Sequence, residues 1–144
     1  IAFMMFAIII SGITAFPVET ELAWLLRHPV LIPGFAENWL KTVYEALKET
    51  NTKHPMLAYG YDWLAFAHLV IAMAFIGPYR DPVKNEWIID WAILCCLAVF
   101  PLAFIAGPIR GIPLFHILID CSFGLFGLIP LMICKRWIKQ LKHT

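Results

Sequence analysis

Apolar positions along this chain gather into four long runs, at about residues 1–16, 55–77, 82–106 and 113–135, separated by proline, glycine and charge. Crossing roughly 30 Å of hydrocarbon takes about 20 residues at 1.5 Å each, which three of the runs satisfy. The first run is shorter and is expected to continue upstream of Ile1. Pro55, Pro82 and Pro113 open the other three, where a missing N–H suits the first helical turn. Gly77-Pro78 and Gly107-Pro108 are expected to end the second and third. Pro101 lies inside the third run and is expected to kink it. The pattern predicts an all-α integral membrane protein, one domain over 1–144, with four transmembrane helices in an antiparallel bundle.

The connection between the first two runs, 17–54, has a different rhythm. Val18, Leu22, Leu25 and Leu26 fall on one helical face. Phe35, Trp39, Val43 and Leu47 recur at every fourth residue, with Glu37, Lys41, Glu45 and Lys48 elsewhere around the helix. Pro29 and Pro33-Gly34 break the chain between them. Two short amphipathic helices, interfacial or capping the bundle, are expected here.

Composition sharpens the membrane reading. Of 144 residues, 61% are hydrophobic and 15% charged, with a mean hydropathy of +0.77. Soluble domains average roughly 45–50% apolar and about 25% charged, so the excess must meet lipid. Lipid is therefore the expected partner, with neighbouring membrane subunits or further copies of the chain as others. The net charge of +1 argues against nucleic acid, because phosphate recognition needs a concentrated basic face. The one dense basic run, Lys135, Arg136, Lys139 and Lys142, has a topological meaning instead. It favours the cytoplasmic side, and an even number of crossings brings the N-terminus there too. Arg80 and Lys84 then fall on the same side, while Arg110 and the 17–54 connection face outward. The expected location is a bacterial inner membrane. Trp63, Trp87, Trp91 and Trp137 sit near predicted helix ends, where indoles prefer the interface. Cys95, Cys96, Cys121 and Cys134 all lie in or at the end of apolar runs without a C-x-x-C pair, so neither a disulfide framework nor a metal site is expected.

Charge within a membrane helix costs roughly 2.5–3.5 kcal/mol for Asp, Lys or Arg on insertion scales, so each ionisable residue there calls for a reason. Asp62 and Asp120 each lie seven residues past a helix-opening proline, about 10 Å inside the outward end. Asp90 takes the corresponding depth from the cytoplasmic side, near Arg80 and Lys84. His116 and Asp120 are one helical turn apart, and Gly124 and Gly127 continue much the same face. On the second run Ala58, Ala65 and Ala72 form a small-residue stripe flanked by Asp62 and His68. Asp62, His116, Asp120 and Arg110 are thus expected to form a buried polar cluster in the outer half of the bundle, with Glu19 and Glu21 as lid groups. The same residues also suit a structural role, Arg110 pairing with Asp120 or Asp62 to fix helix register. Gly77-Pro78-Tyr79-Arg80 is echoed by Gly107-Pro108-Ile109-Arg110, and Asp90 and Asp120 each follow their arginine by ten residues. Helix-ending grammar accounts for most of that echo.

No G-x-S-x-G, H-E-x-x-H or glycine-rich phosphate loop occurs. The leading expectation is a non-enzymatic or accessory membrane subunit whose outer polar cluster takes a small ligand. The alternative is a redox or proton-handling component. Haem or quinone would be its cofactor, with His68 and His116 as the intramembrane histidines, or Asp90, His68, Asp62 and Asp120 would be its proton stepping stones.

Overall fold

A computed structural model of the chain describes residues 1–142, and every regular element among them is helical. In order these are α1 (Ala2–Ala15), α2 (Val18–Leu26), a 3-10 turn (Pro29–Leu31), α3 (Gly34–Lys53), α4 (Pro55–Ala74), α5 (Ile76–Arg80), α6 (Glu86–Ile109) and α7 (Leu114–Leu141). Three stretches are long and apolar enough to cross a membrane: Pro55–Arg80, Glu86–Ile109 and Leu114–Leu141. A fourth would need α1 and α2 together, and these bend by 81° at Pro17. Outside the helix contacts the surface is strongly apolar. Leu94, Leu102, Phe104, Ile105, Phe123 and Phe126 are all more than half exposed, which suits hydrocarbon and would be costly against water.

The helices gather into two compact units, one of Ile1–Met5 with Ala72–Thr144 and one of Phe6–Ile71. The first is organised around α6 and α7, which form an antiparallel hairpin. Its turn is a Schellman motif, in which the Ile112 N–H donates to the Gly107 carbonyl at 3.0 Å and the Gly111 N–H to Pro108 at 3.1 Å. Gly111 occupies the left-handed region that closure requires, with φ +69°. Halfway along, Gly124 presses its backbone onto α6. A Cβ built there would lie 2.7 Å from the Cys96 carbonyl oxygen. Small residues let membrane helices approach this closely where no hydrophobic drive between helices exists. Ile88, Ile89, Ala92, Ile117, Cys121, Leu131 and Ile138 fill the core around that contact. At the far end Lys135 pairs with Asp90, and Lys142 with Glu86.

Several boundaries differ from the expectation. Gly77-Pro78 and Gly107-Pro108 lie within the final turns of α5 and α6 rather than beyond them, and Arg80 and Arg110 mark the two ends. The two tetrapeptides thus both close helices but by different geometries, α5 running into an extended Asp81 and α6 into the left-handed Gly111. α6 passes through Pro101 and starts at Glu86, four residues after Pro82. The delay comes from Asp81, whose Oδ1 accepts the Lys84 N–H at 3.0 Å, and from Asn85, whose Nδ2 donates to the Gly77 and Asp81 carbonyls. Such local side-chain bonds offer the backbone an alternative to the helix. That N–H also holds the exposed Asp81 carboxyl below the usual aspartate range.

In the second unit α1 meets α4 at Gly12. A Cβ there would touch the Ala65 carbonyl oxygen and His68 Cβ, both at 3.0 Å, and Ala65 is fully buried. α2 lies along α3, and α3 is a single 20-residue helix rather than a short one, with Ala36 and Leu47 buried and Phe35 exposed.

Candidate functional site

The second unit contains a cavity of about 240 Å³ between the α1–α2 bend, the C-terminal half of α3 and the first turns of α4. The Pro17 break turns Val18, Glu19 and Thr20 across its top. Leu47 and Asn51, one turn apart on α3, form one wall, and Ala58, Tyr61 and Asp62 of α4 form another. Leu47 is buried and so fixes the inward face of α3. Asn51 shares that face.

Glu19 and Asn51 are joined, Asn51 Nδ2 donating to Glu19 Oε2. This bond leaves Asn51 Oδ1 buried without a donor. A stranded buried acceptor costs about 1–3 kcal/mol unless a donor meets it. Asp62 lines the same cavity about 10 Å along α4 from Pro55. Ionised carboxylates only accept hydrogen bonds, so Glu19, Asp62 and Asn51 Oδ1 bring acceptors to a lining that also carries the Thr20 and Tyr61 hydroxyls.

The remaining expected residues are placed as follows. Glu21 lies in the first turn of α2 and does not line the cavity. His68 directs Nδ1 to the Leu64 carbonyl of its own helix at 2.8 Å. In the other unit His116 Nε2 stands 3.8 Å from Asp120 Oδ1. Arg110 and Asp120 line a second, mainly apolar cavity of about 340 Å³ with Val99, Leu102, Ala103, Ala106, Gly107 and Ile112. They do not form an ion pair there among the described residues; the Arg110 guanidinium is exposed. Asp90 is bound to Lys135 on α7, not to Arg80 or Lys84, and Lys84 instead reaches Asp81 at 3.5 Å. No charged side chain is fully buried among the described residues. The groups expected to be sunk in a cluster are instead half-buried (His116, Asp120) or exposed (Asp62, Arg110). Nor do three or more His, Cys, Asp or Glu side chains gather as a metal would need, among the described residues.

Comparison of the chain with protein-family profiles, curated sequences and solved structures yields no match. The chemistry therefore rests on the residues themselves. Asn51 is the member that sequence reasoning missed, since an amide near the polar end of an amphipathic helix resembles solvated surface. Its spacing of four from Leu47 was the available signal.

Proposed function

We propose that the chain is a non-enzymatic membrane protein, free-standing or an accessory subunit, that crosses the bilayer four times in an antiparallel bundle with both termini in the cytoplasm. Its Glu19–Asn51–Asp62 cavity takes a small, donor-bearing cationic ligand such as a primary ammonium. The observation that carries this reading is the stranded Asn51 Oδ1 beside two carboxylates. Asn51 Oδ1 and the two carboxylates accept, so a group that donates and is positively charged complements them, with the Thr20 and Tyr61 hydroxyls free to accept from or donate to it. A volume of about 240 Å³ accommodates several non-hydrogen atoms, given that water occupies about 30 Å³ in the liquid.

Thermal unfolding of the detergent-solubilised protein tests this with methylammonium and ethanolammonium against tetramethylammonium, which has no N–H. The primary ammonium ions should raise the unfolding temperature of the wild type, and Asp62→Asn should remove the increase. Equal effects of all three ions, or an unchanged response in Asp62→Asn, would refute the ligand assignment. A Soret band or extractable quinone in the purified protein would support the redox alternative built on His68 and His116.

A further inference from the structure

The four cations at the end of α7 divide into two pairs with different surroundings. Lys135 and Lys142, seven residues apart, face α6 and are bound to Asp90 and Glu86. Arg136 and Lys139, three apart, share an exposed face on the same two turns. Neither has a hydrogen bond or ion pair among the described residues. Ile138 between them is buried, which fixes the rotation of the helix, so that Arg136 points away from α6 and Lys139 stands on the exposed flank between Arg136 and Lys135. Trp137 stands beside Arg136 with 62% of its surface exposed, and Trp87, at the paired end of α6, is 66% exposed. An indole and unpaired cations meeting where an apolar helix ends is the chemistry of the headgroup level. The last apolar residues before them, Met132 and Ile133, are exposed and suited to acyl chains.

We infer that Arg136 and Lys139 form a binding site for an anionic phospholipid, the two cations taking the phosphodiester, with the exposed Trp137 on a neighbouring face marking the headgroup level. This goes beyond the cavity of the second unit and uses none of its residues, though it too places α7 in a bilayer. Charge complementarity selects the occupant. Asp90 and Glu86 are each bound by one lysine and leave Arg136 and Lys139 without an acid partner among the described residues, so a negative headgroup is favoured over a zwitterionic one. Each Lys or Arg near an anionic surface favours it about fivefold, so the pair should give about thirtyfold.

Native mass spectrometry of the full chain in detergent, titrated with dioleoylphosphatidylglycerol or dioleoylphosphatidylcholine, tests the site. The first phosphatidylglycerol should bind about thirtyfold more tightly than phosphatidylcholine. Arg136→Gln with Lys139→Gln should bring the two lipids to parity, whereas Lys41→Gln with Lys48→Gln, the same charge change on α3, should leave the preference intact. Inorganic phosphate should not displace the lipid, because it has no chains to lie along α7. Equal binding of both lipids by the wild type would overturn the inference, as would loss of preference in the α3 variant. Displacement by phosphate would replace the lipid with a soluble anion. Should the α7 variant fail to fold, the wild-type ratio and the α3 variant still decide.

Discussion

Replacing Gly124 by alanine probes the α6–α7 contact on which the first unit is built. The added Cβ would lie 2.7 Å from the Cys96 carbonyl oxygen, against 3.4 Å or more for ordinary contact, so the backbones must separate by roughly 0.7 Å. The obstacle is backbone, which cannot swing aside as a side chain can. Val99 Cβ and Phe100 Cε2, at 3.4 and 3.5 Å, block a sideways escape. Overpacking of this kind costs about 1–3 kcal/mol. Alanine also restores up to about 1 kcal/mol of helix propensity, which would obscure the steric effect in a single measurement. Gly60 on α4 supplies the reference, since a Cβ there meets nothing within 4 Å. The propensity gain is common to both, so Gly124→Ala should be less stable than Gly60→Ala by about 1–3 kcal/mol in reversible SDS unfolding. Gly127→Ala should fall between, because the one close obstacle to its Cβ is the Cys96 sulfur at 2.8 Å, a side-chain atom that can rotate, with Met4 Cε at an ordinary 3.9 Å. Equal stability of all three variants would refute the close approach.

Gly111→Ala forces a left-handed conformation on a residue with a Cβ and should lose about 1–2 kcal/mol in the same assay. A double-mutant cycle on Asp90 and Lys135, whose side chains are 47% and 30% exposed, should give a coupling of about 0.2–1 kcal/mol that weakens with salt. An NMR titration should place the Asp81 midpoint below the value of about 3.9 for a free aspartate. Any stability this shift supplies is present above that value and disappears as pH falls through the folded midpoint. Asp81→Asn should flatten that part of the pH profile without moving the rest.

Much of the helical architecture was legible because hydrocarbon imposes long uninterrupted apolar runs. α7 begins one residue after the proline that announces it, and the fully buried Ala65 lies on the alanine stripe of α4. What escaped was set by tertiary register or local polar bonding. Sequence places Asp90 near Arg80 and Lys84 without naming a partner, and the partner it binds lies 45 residues on, across the hairpin. Folding the chain about Gly111 brings the two together, so that turn held the missing information. The late start of α6 depended on Asp81 and Asn85 outcompeting the helix for backbone groups, which a helix-opening proline does not reveal. For the candidate site, Glu19 and Asp62 were legible as ionisable groups beside or within apolar runs. Their connection through Asn51 was not, because amphipathicity reports which face is apolar and not which polar residue that face carries inward.

The membrane-crossing assignment is tested most directly by cysteine accessibility across one span. Val30 and Val83 lie on either side of the Pro55–Arg80 stretch, and both are exposed, Val30 at 96%. Val30→Cys and Val83→Cys, each in a chain with the four native cysteines changed to alanine, would be treated in intact cells with a membrane-impermeant maleimide. Cysteine at position 30 should react at once, and cysteine at position 83 only after the membrane is permeabilised. Reaction of both before permeabilisation, or of neither until it, would place the two on one side and contradict a crossing between them.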